Sequence, residues 1–392
     1  MSGPRLLTLN AGSSSLKFAV YGLQPEPPLL MSGQVSGLGV APRFRARAEG
    51  ASLADEAWPT VGLDAVLERL FGWMDNTGWS LDIAAVGHRI VHGGLEFTRP
   101  TVLTPDAVGR LDRLSLLAPL HQPFNLQAVS RAQARFPSSL QVGVFDTAFH
   151  AAQPRVARLY ALPRDLIDEG VIAYGFHGLS YEYIAGVLKQ REGPQAGGRT
   201  IVLHLGSGVS LCALDGGRSV ATTMGFSALD GPPMSTRSGS LDPGVLLYLM
   251  QAKGLGGQEI ADLLYHRSGL LGLSGVSGDM VTLLASEDPR AREALDVYVH
   301  RLARQVGALA ASLGGLDTLV FTAGVGENAP SIRERVCRRC AWLGVALDPD
   351  ANTSGRGRIS AAESAVKVLV VPTDEELVIA RAVVNAARRS AR

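Results

Sequence analysis

The fold is decided by residues 7–20, LTLNAGSSSLKFAV, in which an apolar strand leads through a glycine and serine turn into a second strand. A stretch of the same form, VLHLGSGVSLCALDGG, begins at Val202, about half a chain length further on. With a one-residue gap the two stretches align as a weak internal repeat, although hairpins with such turns also recur by chance. The repeat favours two similar lobes that each open with a hairpin, and such paired turns would suit a phosphate group held between two domains.

Outward from these hairpins, short β-rich runs alternate with longer amphipathic stretches, which is the pattern of an α/β protein. Strands are predicted at RLLTLN (5–10), SLKFAVYG (15–22), AAVGHRIVH (84–92), QVGVFD (141–146), TIVLHL (200–205), VSLCAL (209–214), DTLVFT (317–322) and VKVLVV (366–371). Helices are predicted at LDAVLERLFGWM (63–74), PFNLQAVSRAQARF (123–136), REALDVYVHRLARQVGALAASL (292–313) and DEELVIARAVVNAARR (374–389).

Length and composition exclude several classes of protein. A chain of 392 residues is too long for one compact core, because single domains mostly hold ~100 to 200 residues. A net charge of +1 offers no broad field for nucleic acid or an anionic membrane. No apolar run approaches the ~18 residues of a membrane span, and no signal peptide is evident, so we expect a soluble, cytoplasmic protein. The CxxC of Cys337 and Cys340 lies in a helical pattern, where we expect ordinary helix residues rather than a metal or redox site.

Three glycine-rich turns are candidates for binding phosphate. LNAGSSSLKF sets Asn10 at a strand end, Gly12 in a turn and Lys17 just beyond, which indicates either a serine-rich hairpin or a phosphate or metal–phosphate cradle. HLGSG (204–208) holds the equivalent place in the other half. FTAGVGEN (321–328) runs from a strand toward a helix, for which Ser331 and Glu334 predict a capping box. The segment is either a natural phosphate site or a plain strand-to-helix connection. Walker, Rossmann, zincin and α/β-hydrolase motifs are lacking.

Several charged or polar side chains stand on apolar strands or in glycine turns, namely Arg89, His92, His121, Asp146, His177 and Arg237. Each alone could be a satisfied core or turn residue, but together they indicate a site, since arginine in such settings usually clamps a planar anion. In VVPTDEELVIAR, Thr373 is the predicted N-cap and Glu376 its capping-box partner. Glu375 is then the freer carboxylate for a magnesium ion.

Taken together, these segments resemble the acetate kinase family across essentially the whole chain. The matching segments are LNAGSSSLKF, GHRIVHGG, FDTAFH, YGFHG, the HLGxG turn, TRSGxLDPG, the GVGEN turn and PTxEEL, in the family's order and spacing. The resemblance implies a fold of the sugar kinase, Hsp70 and actin class, with two duplicated lobes and an active site in the cleft between them. It implies an N-terminal lobe of residues 1–149 joined by a C-terminal helix of about 374–392, and a C-terminal lobe of residues 150–373.

The resemblance also implies a cytoplasmic homodimer that transfers phosphoryl reversibly between ATP and acetate, with Mg²⁺ or Mn²⁺, giving acetyl phosphate and ADP. Arg89 and Arg237 would contact the carboxylate and the transferring phosphoryl group, His177 would stabilise the transition state, and Asp146 would be the essential acid. The acyl group would lie against Val91, Leu120 and Phe176, and Asn10 and Glu375 would lie near the metal. The nucleotide would be served by Lys17, His204, Leu205, Gly206, Ser207, Gly208, Asp279, Gly324, Val325, Gly326, Glu327 and Asn328.

These roles agree with the chemistry of the reaction. A carboxylate with a pKa near ~4.3 is ionised at neutral pH, so its attack on phosphorus needs no general base, and Asp146 is expected instead to orient magnesium or its waters. What the reaction needs is in-line positioning and neutralisation of charge on the phosphoryl oxygens. The assignment therefore depends on Arg89 and Arg237 gripping the reactants, which a structural counter-ion against either arginine would contradict.

The sequence also departs from the family pattern. Val281 stands where the family usually has an arginine, which removes one expected nucleotide contact, and Ala228 replaces a proline of the acyl pocket. Ser207, Ser240 and Asp374 replace an Asn, an Asp and an Asn. A kinase for propionate or butyrate, or one with another phosphoryl donor, is therefore an alternative, and a nucleotide-dependent switch without catalysis is a further one.

Overall fold

The structure is a computed structural model that describes residues 3–12, 15–119, 121–193 and 197–390. The chain divides into two compact units. Met1–Phe149 and Asp374–Arg392 form the first, here called the N-terminal unit, and His150–Thr373 form the C-terminal unit.

The N-terminal unit is built on a mixed sheet that contains eight strands among its described residues, in the order β5-β4-β3-β2-β1-β6-β8-β7. The strands are β1 Arg5–Ala11, β2 Ser15–Gly22, β3 Leu29–Ser36, β4 Arg43–Ala48, β5 Ala51–Ala57, β6 Ile83–Ile90, β7 Thr101–Val102 and β8 Leu140–Phe145. β1 is antiparallel to β2 and parallel to β6, which is parallel to β8. The carboxyl ends of these parallel strands therefore meet at one edge of the sheet, where ligand sites of α/β proteins usually lie.

Four helices cover this sheet, namely α1 Leu63–Asn76, α2 Pro105–Asp112, α3 Gln122–Arg135 and, from the far end of the chain, α15 Glu375–Ser390. α15 packs on β1, β6 and β8. Its fully buried Ile379 and Val383 meet β6 at Gly87, where an added Cβ would lie 2.5 and 2.6 Å from their methyl carbons. Gly87 is thus required by the close approach of the helix rather than by its backbone conformation.

The C-terminal unit repeats this topology in a sheet of six described strands, in the order β11-β10-β9-β12-β14-β13. The strands are β9 Arg199–Leu205, β10 Val209–Asp215, β11 Arg218–Thr222, β12 Thr318–Thr322, β13 Gly357–Arg358 and β14 Lys367–Val370. β9 is antiparallel to β10 and parallel to β12, which is parallel to β14. The order β3-β2-β1-β6-β8-β7 of the first sheet thus recurs, strand for strand, in the second.

The helices of the C-terminal unit are α4 Arg155–Arg158, α5 Arg164–Asp168, α6 Gly178–Glu192, α7 Pro243–Gln251, α8 Gly257–His266, α9 Gly269–Ser274, α10 Met280–Ala285, α11 Pro289–Leu313, α12 Ala323–Asn328, α13 Pro330–Arg339 and α14 Pro349–Ser354. Short 3₁₀ turns occupy Arg113–Leu116, Ala148–His150 and Ala341–Leu343. The long α11 buries one face on the sheet, from Ala291 to Ala310, because its apolar residues recur at spacings of three and four.

The two hairpins explain the gap in the internal repeat. Ala11 pairs with Leu16, which leaves a four-residue loop, whereas Leu205 pairs with Val209 and leaves three residues. When Gly12 is matched to Gly206, Asn10 corresponds to His204, and beyond the gap Lys17 corresponds to Ser210. The repeat is therefore a structural duplication.

The eight predicted strands and four predicted helices are all confirmed, as is the α/β class. No described helix is long and apolar enough to cross a membrane. Cys337 and Cys340 lie buried at the end of α13 as free thiols, and burial raises the pKa of Cys340 to about 11, as expected for inert helix residues.

The packing of α15 on β6 yields a stability test. Gly87→Ala should destabilise the protein by about 1–3 kcal/mol, because the new methyl group collides with two branched core side chains. Gly72→Ala, in α1 of the same unit and with open space around it, should instead stabilise by about 0.5–1 kcal/mol through helix propensity. Urea unfolding of both variants measures the difference; equal midpoints would show that α15 does not pack this closely.

Candidate active site

A cluster of charged side chains lies at the carboxyl ends of β1, β6 and β8 in the N-terminal unit. Arg89, near the end of β6, is at its centre: its Nε and Nη2 donate to the two carboxylate oxygens of Asp146 at 2.9 and 2.6 Å, and its Nη1 donates to Asn10 Oδ1 at 3.0 Å. Asp146 follows β8 directly and its side chain is 1% exposed. Four of the residues predicted for the site, Asn10, Arg89, Asp146 and Glu375, are thus brought together.

The ion pair changes the role expected of Arg89. A guanidinium carries five N–H groups in a planar fork, and here the two-pronged edge that matches a carboxylate is taken by Asp146. Burial lowers the pKa of Arg89, but the charges of Asp146, Glu375 and Glu376 outweigh it and leave the pKa raised. Arg89 is therefore a fixed cation with two N–H groups left among the described residues. Its counter-ion Asp146 is itself a predicted site residue, and the contact of Arg89 with the reactants stays a prediction. The sequence also did not predict that Asp146 pairs with Arg89.

Two adjacent glutamates at the start of α15 complete this cluster. Asn10 Nδ2 donates to Glu375 Oε2 at 3.1 Å and to Glu376 Oε1 at 3.2 Å. The predicted capping box is wrong, because Asp374 is the N-cap and accepts from the backbone N–H of Leu377 at 2.9 Å. The Thr373 hydroxyl is buried without a hydrogen-bond partner in the described structure. Asp374 in place of the usual Asn thus keeps a capping oxygen, and Glu376 is released to face Asn10.

The donors of this cluster fit a hard divalent cation. Burial and the neighbouring Glu375 raise the pKa of Glu376, against the opposing charge of Lys17, so another positive charge here would offset the repulsion between the two carboxylates. Glu375 and Glu376 supply the oxygen ligands that Mg²⁺ prefers. Asn10, however, turns its oxygen to Arg89, so it supports the glutamates rather than offering a ligand. No group of three or more His, Cys, Asp or Glu residues in the described part of the chain could hold a metal by itself.

Helix α3 fixes the backbone that leads away from the cluster. Asn125 accepts from the backbone N–H of Val91 at 2.9 Å and donates to the carbonyl of Ala11 at 2.6 Å. Gln122 bonds both backbone groups of His92. Sequence reasoning missed these two buried amides, although their spacing of three on the face of α3 that also carries Leu126 was a usable signal.

Two histidines predicted for this unit lie beyond the end of β6 and at the start of α3. His92 Nδ1 accepts from the backbone N–H of Gly94, and burial lowers its pKa to about 4, so it is a neutral residue that shapes a turn. His121 is at the N-cap position of α3. Val91 is 4% exposed. Leu120 lies outside the described residues, as do two of the serines predicted for the cradle, Ser13 and Ser14.

A second cluster surrounds the β9–β10 hairpin turn in the C-terminal unit. The rings of His177 and His204 stack with centroids 4.1 Å apart and planes 19° apart. A Cβ at Gly208 would lie 3.0 Å from Arg237 Nη2 and 3.2 Å from His177 Nε2. Both nitrogens therefore face the turn, and only a glycine fits between them. The predicted residues His177, His204, Gly208 and Arg237 are thus adjacent within this unit.

The loop that carries Arg237 is tied to the same turn. Arg237 Nη1 donates to the carbonyl of Ala228 at 2.7 Å, and the backbone N–H of Ser235 donates to the carbonyl of Ser207 at 3.3 Å. Ser240 hydrogen bonds to Asp230 at 2.6 Å, so this departure from the family pattern has a local role in closing the loop.

The GVGEN segment forms the short helix α12 rather than a turn. Gly326 lies 3.7 Å from Leu205, measured from an added Cβ, so α12 adjoins the end of β9 and the predicted Leu205 and Gly206. Gly324 is exposed with open space around it, which leaves its backbone accessible, whereas Val325 and Glu327 are half-buried. Asn328 Nδ2 donates to the Gly324 carbonyl at 2.9 Å. The capping box of Ser331 and Glu334 is wrong, because Pro330 occupies the first turn of α13 and Ala329 its N-cap.

A buried arginine that sequence reasoning missed supports α12. Arg333 is 1% exposed and donates to the carbonyls of Gly326 and Glu327, both at 2.9 Å, and to Asn352 Oδ1 at 2.9 Å. Burial lowers its pKa. The signal was available, since Arg333 stands on the apolar face of α13 beside Ile332, Val336 and Cys337.

Asp279 is the N-cap of α10 and accepts from the backbone N–H and hydroxyl of Thr282 at 2.8 and 2.9 Å. The adjacent Gly278 approaches the carbonyl of Ser235 so closely that a Cβ would lie 2.7 Å from it. Val281, where the family has an arginine, is 75% exposed. Asp279 therefore caps α10, and its contact with a nucleotide stays a prediction.

Comparison with known proteins agrees on one family. The family model described as the Acetokinase family matches residues 5–381. The chain is 52% identical over 384 residues to an acetate kinase of Rhodopseudomonas palustris, with 96% of each chain covered, and 50% identical to one of Nitrobacter hamburgensis, with 96% and 94% covered. Among crystal structures, a Porphyromonas gingivalis acetate kinase is similar with a TM-score of 0.86 and 36% identity over 98% of this chain and 100% of that one. A propionate kinase from Francisella tularensis subsp. tularensis gives 0.90 and 34% over 97% and 99%.

The buried ion pair can be tested against an exposed pair of the same geometry. Asp146→Asn should destabilise the protein by about 1.5–3 kcal/mol, because Arg89 loses the two-pronged, charge-assisted hydrogen bonds to its buried partner. Asp317, which binds Arg199 in the same two-pronged way but is 44% exposed, is the matched control. Asp317→Asn should cost below about 1 kcal/mol. Chemical denaturation compares the two, and a loss below about 1 kcal/mol for Asp146→Asn would contradict a structural role for that pair.

Proposed function

This chain belongs to the acetokinase family, and from that premise we propose that it is an acetate kinase: it transfers phosphoryl reversibly from ATP to acetate, giving acetyl phosphate and ADP. The observation that carries the proposal is the arrangement at Gly208, where Arg237 Nη2 and His177 Nε2 face one glycine turn. Two N–H donors aimed at a turn without a side chain suit the oxygens of a transferring phosphoryl group.

The chain's own residues would act by binding and charge neutralisation. Acetate is ionised at neutral pH, since its pKa lies near ~4.3 as for a glutamate side chain, so Asp146 is not needed as a proton acceptor. We assign Asp146 the task of holding Arg89, whose two remaining N–H groups would bind an oxygen of the reactants. Arg237 and His177 would donate to the phosphoryl oxygens. Charge on these oxygens must be neutralised while the bond from phosphorus to the ADP oxygen breaks and the bond to an acetate oxygen forms.

Magnesium would be held by Glu375 and Glu376, with Asn10 fixing both carboxylates. When bound, the metal supplies charge stabilisation of the phosphate oxygens. Lys17, whose charge already acts on Glu376, would lie toward the nucleotide phosphates. We assign nucleotide contacts to residues 204–208 and 324–328, because Gly324 is exposed with open space around it and α12 adjoins the end of β9.

The acyl group is assigned to an apolar surface. Val91 and Phe176 are apolar and buried, as a methyl-binding surface requires, and we assign them to the acyl group together with Leu120. The similar Francisella tularensis subsp. tularensis structure is titled a propionate kinase, and Ala228 stands in place of a proline, so propionate is the second candidate substrate. Enlarging such a pocket by a methylene changes selectivity by only about 10- to 200-fold.

The function is tested by acyl hydroxamate formation from the purified full chain with ATP and Mg²⁺. We expect acetate to give the highest kcat/KM among acetate, propionate and butyrate, and ATP to exceed GTP and pyrophosphate. Arg237→Ala should retain the fold and lose about 10²- to 10³-fold in kcat, because a donor to the phosphoryl oxygens is removed.

Arg267→Ala is the matched control, since Arg267 forms an exposed ion pair with Asp262 in the same unit and should leave kcat unchanged. Failure to form hydroxamate with any short acid, despite nucleotide binding, would favour the non-catalytic switch. Near-normal turnover of Arg237→Ala would refute its assigned role.

We further propose that the protein is a homodimer. Helix α7 is apolar yet has no buried residue, and Leu247, Tyr248 and Met250 on it are 53–55% exposed. Exposed apolar residues concentrated on one helix are typical of an interface, and the family resemblance implies that a second copy of the chain covers them. We call Leu247, Tyr248 and Met250 the α7 surface.

The dimer is tested by light scattering on the wild type and on Leu247→Glu combined with Met250→Glu. We expect the mass to fall from two chains to one, because two buried charges oppose association. Val156→Glu, at an apolar residue of α4 that is 87% exposed, should leave the mass unchanged. A monomeric wild type would exclude this proposal.

A further inference from the structure

Two hydroxyl groups behind His177 form a buried hydrogen-bonded chain that the proposed mechanism does not use. His177 Nδ1 lies 2.8 Å from Ser210 Oγ, and Ser210 Oγ lies 2.5 Å from the Tyr181 hydroxyl. Ser210 and Tyr181 are both 0% exposed. The chain thus runs inward from the ring of His177, while Nε2 of the same ring faces Gly208.

The backbone places these three residues together. His177 is the N-cap of α6 with φ of +56°, in the left-handed region that non-glycine residues seldom adopt. Tyr181 lies one turn further along α6 and donates its backbone N–H to the His177 carbonyl at 3.1 Å. Both side chains therefore converge from the first turn of α6 on Ser210 of β10.

Counting protons along the chain fixes its direction. Ser210 is the only hydrogen-bond partner of the Tyr181 hydroxyl among the described residues, and burial raises the Tyr181 pKa well above its ordinary value, so the phenol keeps its proton. That proton must be donated to Ser210, because a buried hydroxyl without an acceptor is costly. Ser210 has one proton of its own, and His177 Nδ1 is the acceptor left for it within the described structure.

A histidine nitrogen that accepts a hydrogen bond leaves the ring proton on the other nitrogen. We propose that Tyr181 and Ser210 are positioning residues that hold His177 as the neutral tautomer protonated at Nε2, with that N–H directed at the Gly208 turn. The inference rests on the proposed function, in which this N–H donates to the transferring phosphoryl group. Without the chain, His177 would divide between two tautomers, and one of them presents a lone pair to the phosphoryl oxygens.

The tautomer is measured directly by nitrogen NMR of ¹⁵N-histidine-labelled full-length protein, with the His177 signals identified by their loss in His177→Gln. We expect Nδ1 to be unprotonated and Nε2 protonated at neutral pH. Ser210→Ala and Tyr181→Phe should both increase the population of the Nδ1-protonated form. This readout does not depend on activity, so it remains decisive if no acyl phosphate is formed and the proposed function fails.

Kinetics provide the second measurement. We expect kcat to fall about a hundredfold in Ser210→Ala and about tenfold in Tyr181→Phe, with KM for ATP and acetate nearly unchanged, because these changes misdirect a transition-state donor and leave the groups that bind the substrates in place. Ser210→Thr, which restores a hydroxyl at this position, should recover the tautomer and most of kcat. Thermal unfolding identifies a variant that fails to fold, in which case the isosteric Tyr181→Phe decides.

Tyr298→Phe is the matched control, because Tyr298 is also buried in this unit but its hydroxyl has no partner in the described structure. It should keep both the tautomer and kcat. The proposal is overturned if wild-type His177 carries its proton on Nδ1, or if Ser210→Ala and Tyr181→Phe keep the wild-type tautomer and turnover.

Discussion

Both clusters depend on one constraint: a polar side chain buried one residue before the end of a strand must find its hydrogen bonds beside a tight hairpin turn. Asn10 and His204 hold this position in the two units. Asn10 forms its hydrogen bonds with Arg89 and the two glutamates of α15. His204 is hydrogen bonded to the Ser180 hydroxyl at 2.9 Å and stacks on the ring of His177. Because burial makes each unmet hydrogen bond costly, one residue in each unit determines where several charged or titratable neighbours must stand.

The two units hold their site arginines with different partners. In the N-terminal unit, Arg89 is surrounded by Asp146, Glu375 and Glu376, so its charge is largely compensated before any ligand arrives. In the C-terminal unit, Arg237 Nη1 donates to the Ala228 carbonyl, which fixes the guanidinium beside the Gly208 turn. The first arrangement suits the binding of a cation beside a fixed framework, and the second suits an anion. Duplication of the sheet topology has therefore not produced duplicated chemistry.

The sequence predicted the sheets better than the site. Apolar strands of the central sheets are recognisable because their whole runs are buried. β4 was missed because arginines alternate along it, and β5 was missed because nearly all of its residues are exposed and form no apolar run. Helix α6 was missed because Gly178, Leu179, Ser180 and Tyr181 are buried in succession and give no amphipathic period. Motifs named residues that lie close together within each unit, such as Asn10 with Arg89 and His177 with His204. The Arg89–Asp146 pair and Asp374 as the N-cap depend on which partner is nearest, and spacing does not carry that information.

Helix α15 has a consequence for how the chain reaches its native state. The last element of the chain covers β1, β6 and β8, which belong to its first half, and it brings both glutamates to Asn10. During synthesis from the N-terminus, that face of the sheet stays uncovered until residues 375–390 have left the ribosome. The continuous segment 150–373 has no such delay, so the later-made unit can be complete while the earlier-made one still waits for its last helix.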